Sequence, residues 1–338
     1  MAPAATYEIP LSQGAALEAI SDAVDEVNVL KAKAALKQAE INNVQYDSKS
    51  NFDAQKDKAQ FRQYESACDR VKNFYREQHT KQTVAYNLAA RNRFYSASRV
   101  RPELTIWEAI EKLNTLIDES DPDTSLSQIQ HLLQSAEAIR RDGKPRWMQL
   151  TGLIHDLGKL MLFFDGAQGQ WDVVGDTFPV GCKFDERCIY PETFAANPDS
   201  NDPTFSSKNG IYSPGCGMGN LMISWGHDEY LYLVVKDQST LPAEALAMLR
   251  YHSFYPWHKE GAYREFMAEG DEKLLQAVKA FNPYDLYSKS DDVPEVEELK
   301  VEKPNSPRHR LKYSLLMSSQ PYYLELIDEY FPQRKIKW

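Results

Sequence analysis

The chain has 338 residues, 42% of them hydrophobic and 12% aromatic, with a formal charge of −10. That length suits one large or two small soluble globular domains. The acidic balance argues against nucleic acid as a partner, and no apolar run approaches the roughly 18 to 20 residues that span a bilayer, so no membrane partner is expected either. The N-terminus MAPAATYEIP lacks the basic, apolar pattern of a secretory leader. The four cysteines, Cys68, Cys182, Cys188 and Cys216, form no C-x-x-C pair. Cys182 and Cys188 could bridge, but a reduced, cytoplasmic protein is the simpler reading.

In chain order, residues 1–55 are polar and alanine-rich and read as a variable, peripheral segment without chemistry. A long helical pattern follows around FRQYESACDRVKNFYREQHTKQTVAYNLAARNRF, with Phe61, Tyr64, Val71, Phe74 and Tyr75 recurring at helical spacing. ELTIWEAIEKLNTLI predicts a helix with Leu104, Trp107, Ile110, Leu113 and Ile117 on one stripe. DESDPDTS breaks it, and Thr124 or Ser125 could cap LSQIQHLLQSAEAIRR. Pro145 suits the first turn of the next helix. Residues 166–220 read as long loops with a short strand at DVVG. Helices resume at GHDEYLYLVVKD, PAEALAMLRYHSF and DEKLLQAVKAFN, and the last is PYYLELIDEYF. Strands are nearly absent, so the class is all-α. VEKPNSPRHRLKYSLLMSSQ, about 301–320, reads as a surface insertion or a partly disordered loop.

The decapeptide TGLIHDLGKL, 151–160, places His155, Asp156 and Lys159 in an otherwise apolar helix. Buried ionisable groups are normally paired or bound to a metal. Spacings of three and four put Lys159 on a face with Asp156 and His155. Of seven histidines, His131, His155, His227 and His252 lie beside apolar or aromatic residues. His79, His258 and His309 sit among polar neighbours and read as ordinary surface or packing residues. GCGMGN, 215–220, lacks the strand and spacing of a dinucleotide loop and reads as a turn.

The spaced pattern H…HD…D on helices resembles the metal-binding signature of the HD-domain superfamily. His131, His155 and Asp156 supply its first parts, and Asp285 in FNPYDLYSKS is the candidate for the last. With His227 and His252 the set would serve two metals bridged by a carboxylate. Having no thiolate, it suits iron or manganese better than structural zinc.

FRQYES, DESDPD, LIHDLGKL, VVGDTFPVG, SWGHDEYLY, RYHSFYPWH and FNPYDLYSK occur in the order of, and are similar to, segments of the myo-inositol oxygenase family. The resemblance runs from about residue 57 to the C-terminus. It implies an HD-domain helical bundle with long connecting loops. It also implies the opening step of inositol catabolism, in which O2 and myo-inositol give D-glucuronate and water. The implied cofactor is a mixed-valent Fe(II)/Fe(III) pair, held by His131, His155, Asp156, His227, His252 and Asp285, with Asp156 bridging. Inositol contacts are implied for Arg62, Asp118, Glu119, Ser120, Lys159, Gly175, Asp176, Ser253 and Lys289. Lys159 and Asp156 would be catalytic, and the protein is expected to act as a monomer. The rival expectation is an HD-type phosphohydrolase using the same metals to activate water. Phosphate would favour Arg and Lys clusters, whereas this set includes Asp118, Glu119 and Asp176. A silent scaffold would have no need of six ligands.

Overall fold

A computed structural model describes residues 69–115, 128–164, 166–287 and 320–338. Arg62, Asp118, Glu119, Ser120, Lys289, His309, the 1–55 segment and residues 301–319 of the insertion lie outside them.

Helices dominate the described residues, as the all-α reading requires. The long N-terminal helical pattern divides into α1 (Asp69–Lys81) and α2 (Val84–Tyr95). Thr83 makes the break. Its backbone is extended, and its hydroxyl accepts the Tyr86 N–H at 3.1 Å, which starts α2. The helix expected from Glu103 likewise starts later. Glu103–Leu104 form β1, which pairs antiparallel with β2 (Ile336–Lys337). Next, α3 (Ile106–Leu113) opens on a capping box: Thr105 Oγ1 accepts from Glu108 N–H at 3.0 Å, and Glu108 Oε2 from Thr105 N–H at 2.8 Å. Ile106, Ile110 and Leu113 form its buried stripe, while Trp107 is only half-buried.

The chain continues through α4 (Gln128–Arg141) and α5 (Arg146–Ile154), with Pro145 as the residue preceding the first turn. The decapeptide TGLIHDLGKL is not one α-helix. It changes winding at His155 into a 3-10 helix, His155–Leu160, followed by the short α6 (Met161–Phe164). From 166 to 226 the backbone is loop with short 3-10 turns. No strand forms at DVVG. Asp172 instead closes a turn by accepting the N–H groups of Gln168 and Gly169, and Gly175 turns the chain with φ +94°. A single bridge, Pro179 to Ile223, is the sole β-contact there among the described residues.

The remaining helices are α7 (His227–Val235), α8 (Ala243–Tyr251), α9 (Tyr255–His258), α10 (Asp271–Tyr287) and α11 (320–330). α10 does not stop at Asn282 but runs through Pro283, which removes one N–H from the ladder. The burial of Phe281, Tyr284 and Leu286 outweighs that loss, so Asp285 sits within the helix rather than after it.

α4 packs along α5, α8 along α10, and α7 across the 3-10 helix. One contiguous core, including Leu132, Ile139, Leu153, Leu157, Val234, Leu249 and Phe281, joins them. A second cluster, with Phe178, Val180, Phe254, Trp257 and Phe266, anchors the long loop. α7 comes so close at Gly158 that a Cβ there would lie 1.9 Å from the His227 carbonyl oxygen. A residue without a side chain is what lets these two metal-ligand candidates' elements touch.

Candidate metal centre

Five elements deliver the candidate ligands. His131 comes from α4, His155 and Asp156 from the first turn of the 3-10 helix, and His227 from the first residue of α7. His252 caps the end of α8, and Asp285 lies near the end of α10. All six are buried. Their sequence separation, 131 to 285, is closed by the helix packing described above.

Three imidazoles have their tautomer set by backbone. Nδ1 of His155 lies 2.9 Å from the Gly152 carbonyl, Nδ1 of His227 2.8 Å from that of Val173, and Nδ1 of His252 3.1 Å from that of Leu249. Donating at Nδ1 leaves the Nε2 lone pair for another partner, as metal-binding histidines require.

The Nε2 atoms converge in two groups. In the first, His131 Nε2 is 3.2 Å from His155 Nε2 and 3.1 Å from Asp285 Oδ1, and His155 Nε2 is 3.3 Å from that oxygen. Asp156 Oδ2 completes it, at 3.7 Å from His131 and 3.6 Å from His155. In the second, His227 and His252 Nε2 are 3.2 Å apart, with Asp156 Oδ1 at 3.5 and 3.8 Å. The two carboxylate oxygens of Asp156 thus face different groups.

The buried carboxylates and imidazoles shift one another's ionisation. Burial pushes the Asp156 carboxyl up, but Lys159 and His155 outweigh it and hold the group well below the usual carboxylate range. Burial pulls His155 down, yet Asp156 and Asp285 together raise it above an ordinary imidazole. His227 is raised the same way, with Asp228 as the main opposing influence to burial. Buried carboxylates that pull protons onto imidazoles offer the same negative field to a metal ion, which displaces those protons on binding. Imidazole and carboxylate with no thiolate is a donor set for iron, manganese or zinc.

The sequence profile of the myo-inositol oxygenase family matches residues 68–304. Inositol oxygenase of Dictyostelium discoideum is 46% identical over 295 residues, covering 86% of this chain and 94% of that protein. Inositol oxygenase 1 of Arabidopsis thaliana is 47% identical over 284 residues, covering 82% of this chain and 84% of its own. Inositol oxygenase of Danio rerio is 42% identical over 283 residues, covering 82% and 93%. This chain belongs to the myo-inositol oxygenase family.

For a myo-inositol oxygenase the family implies a metal cofactor, and three overlapping buried His/Asp groups, His131–His155–Asp285, His155–Asp156–His252 and His227–Asp228–His252, could bind metal. Of the expected inositol contacts within the described residues, Gly175, Asp176 and Ser253 lie around the second group, with Ser253 Oγ 3.4 Å from His227 Nε2. Val173 O accepts the His227 N–H at 2.8 Å, and Thr177 N–H donates to Ser253 O at 2.9 Å. The loop between them, with Gly175 and Asp176, is therefore tied at both ends to elements of that group. The glycine at 175 answers to α1: a Cβ would meet Phe74 Cε1 at 2.7 Å and Gln78 Nε2 at 2.9 Å. Asp176 is buried and accepts from the Tyr75 hydroxyl at 3.3 Å. Lys159 Nζ donates to Asp156 Oδ2 at 2.8 Å and to Gln128 Oε1 at 3.5 Å. The 3-10 winding puts residues three apart in register, so Lys159 lies over Asp156.

Three residues were not anticipated for this site. His258 is buried, with Nε2 2.9 Å from the carbonyl oxygen of His252, which fixes the end of α8. Tyr75 orients Asp176. Asp228, fully buried, accepts the Ser253 N–H and hydroxyl, each at 3.0 Å, and lies 2.9 Å from His227 Nε2. A signal for Asp228 was present, because the pair His-Asp occurs at 227–228 as well as at 155–156.

Proposed function

We propose that this chain cleaves the ring of myo-inositol with one O2 to give D-glucuronate and water, using two iron ions. The paired, carboxylate-linked groups of imidazoles carry the reading, set beside membership of the family. His131, His155 and Asp285 would hold one ion, His227 and His252 the other, and Asp156 both. When bound, the irons supply the redox capacity for a four-electron oxidation that no side chain can provide.

The chain's own residues would bind and orient a neutral polyol. Such a substrate offers only hydroxyls, and each buried site group left unpaired would cost about 1 to 3 kcal/mol. Asp176 can accept hydroxyl protons, and Ser253 can both donate and accept. Lys159, an ammonium held over Asp156, would donate to a substrate hydroxyl and favour loss of its proton, since a nearby positive charge stabilises the alkoxide. The resemblance adds Arg62, Asp118, Glu119, Ser120 and Lys289 to this lining. Buried thiols at Cys182 and Cys188, unbridged and each pushed up to about 12 by burial, accord with a cytoplasmic setting.

Iron-loaded protein given myo-inositol should consume one O2 for each D-glucuronate formed. Phosphate-ester hydrolysis without O2 uptake would instead make it a phosphohydrolase.

A further inference from the structure

The two groups of donors are close to equivalent, and the equivalence needs a residue outside the six-ligand set. The first group consists of two imidazole nitrogens 3.2 Å apart, one Asp156 oxygen, and Asp285 Oδ1 at 3.1 and 3.3 Å from the nitrogens. The second has two imidazole nitrogens 3.2 Å apart and the other Asp156 oxygen. The place matching Asp285 is filled by Asp228 Oδ1, at 2.9 Å from His227 Nε2 and 3.4 Å from His252 Nε2. Donors about 2.1 Å from a common ion at right angles lie about 3 Å apart, and at tetrahedral angles about 3.4 Å apart. Asp228 meets that spacing to both imidazoles as well as Asp285 does to its own pair.

The surroundings of Asp228 are also those of a held ligand. It is fully buried, and its Oδ2 accepts the Ser253 N–H while Oδ1 accepts the Ser253 hydroxyl. These bonds fix the carboxylate plane, as partners of metal-bound carboxylates do. Besides the Ser253 hydroxyl, Oδ1 can take a further partner on the side of the imidazole nitrogens, because a carboxylate oxygen accepts more than one contact.

We infer that Asp228 is a seventh protein ligand, holding the second metal ion of the substrate-free protein as Asp285 holds the first. This rests on the metal-dependent reading above. It makes the two ions alike in protein donors before substrate arrives, each with two imidazoles, a terminal carboxylate and a share of Asp156. It also links the second ion to Ser253, which is expected to meet the substrate.

The test uses Mn(II) alone, without inositol, on the full-length protein. Wild type should bind two ions per chain by metal analysis. Asp228→Ala and Asp285→Ala should each weaken one ion by more than the roughly 10- to 100-fold that losing an outer partner costs and leave the other, and the two losses should fall on different ions in anomalous maps. Ser253→Ala, which keeps the Asp228 carboxylate but removes one of its hydrogen bonds, should weaken the second ion by no more than roughly 10- to 100-fold. In Mn(II)-loaded wild-type crystals Asp228 Oδ1 should lie about 2.2 Å from the second ion. A second ion bound with Asp228 Oδ1 beyond about 3 Å, or with unchanged affinity in Asp228→Ala, overturns the assignment and leaves Asp228 positioning His227 and Ser253. A wild type that binds no ion at either group overturns the metal-dependent reading itself.

Discussion

A buried ionisable side chain is a statement about its partners, and two residues of this chain make it in opposite ways. His79 lies on α1 with no exposed surface, stacked on Phe194 at 3.8 Å and with Nδ1 2.6 Å from Thr193 Oγ1. Burial pushes its imidazole down to about 3. Above about pH 6.5 the ring is neutral in folded and unfolded chains and contributes no pH dependence. As pH falls from there toward 3, only the unfolded chain takes up the proton, so stability is progressively lost. By pH 5 the loss is about 2 kcal/mol. Urea unfolding of the metal-free protein at pH 7 and pH 5 should show wild type losing about that much more than His79→Phe; equal losses would mean that the folded site accepts the proton. Lys159 is the converse case, a buried amine paired with the Asp156 carboxylate at 2.8 Å. On the di-iron reading proposed above, Lys159→Ala should keep the wild-type metal content and near-native stability, with turnover falling at least about 100-fold. Turnover close to wild type would reduce the lysine to a structural partner of Asp156, and lost iron would make it part of the metal site's support.

At the scale of elements, the contact between the 3-10 helix and α7 sets the distance between the two donor groups, and Gly158 sets that contact. An alanine Cβ there would meet His227 backbone at 1.9 to 2.9 Å, and no rotamer change relieves a clash with backbone. Gly158→Ala should cost about 3 kcal/mol or more in thermal unfolding, the upper end for overpacking, and should weaken metal binding at His227. Gly152→Ala is the control. Its Cβ meets the movable Ile139 Cδ1 at 2.7 Å and Ala136 backbone at 3.2 Å, which a shift of a few tenths of an ångström relieves, and alanine's better helix propensity offsets part of the cost, so a loss of about 1 kcal/mol, well below that at Gly158, is expected. Comparable losses in both would mean that the 3-10 helix can shift away from α7. Much of the candidate centre was legible in sequence because a polar residue in an apolar run is conspicuous: His131, His155, Asp156, His227 and His252 stand out that way, and the structure places them close together. The change of winding at His155 was not legible, since periodicity over ten residues does not separate a 3-10 from an α-helix when nearly every position is apolar. The break at Thr83 and the start at Thr105 were written in capping residues that a search for stripes passes over. Asp228 was masked by its neighbour, because a histidine draws the eye as a ligand and the aspartate after it reads as a first-turn acid. The equivalence of the donor groups is a property of the packed helices alone.

For the whole molecule, the C-terminal stretch brings the end of the chain back to the helices that carry the first donor group. Arg146 at the start of α5 donates to Glu329 at 2.7 Å and to Glu325 at 3.0 Å, both on α11. The hydroxyl of Tyr323 donates to Glu137 of α4 at 2.8 Å, and that of Tyr322 to Gln149 of α5 at 2.6 Å. Beyond α11 the chain pairs Ile336 with Leu104, and Trp338 ends fully buried with its N–H on the Pro102 carbonyl at 3.0 Å. The exposed ion pair to Glu325 contributes little, because surface pairs are worth about 0 to 1 kcal/mol. The indole is different. Truncating a fully buried tryptophan removes its transfer free energy and leaves a cavity, at a cost of about 3 to 5 kcal/mol. Trp338→Ala should therefore lower stability by that amount in chemical denaturation, whereas Glu325→Ala should change it by less than about 1 kcal/mol. The donor groups themselves are assembled from α4, the 3-10 helix, α7, α8 and α10, none of which includes the C-terminal stretch. Folded Trp338→Ala, held well below its unfolding midpoint, should thus still bind two metal ions per chain. Loss of an ion from a variant that is folded by circular dichroism would show that the returning tail fixes the register of α4 against α5, and with it the distance from His131 to His155.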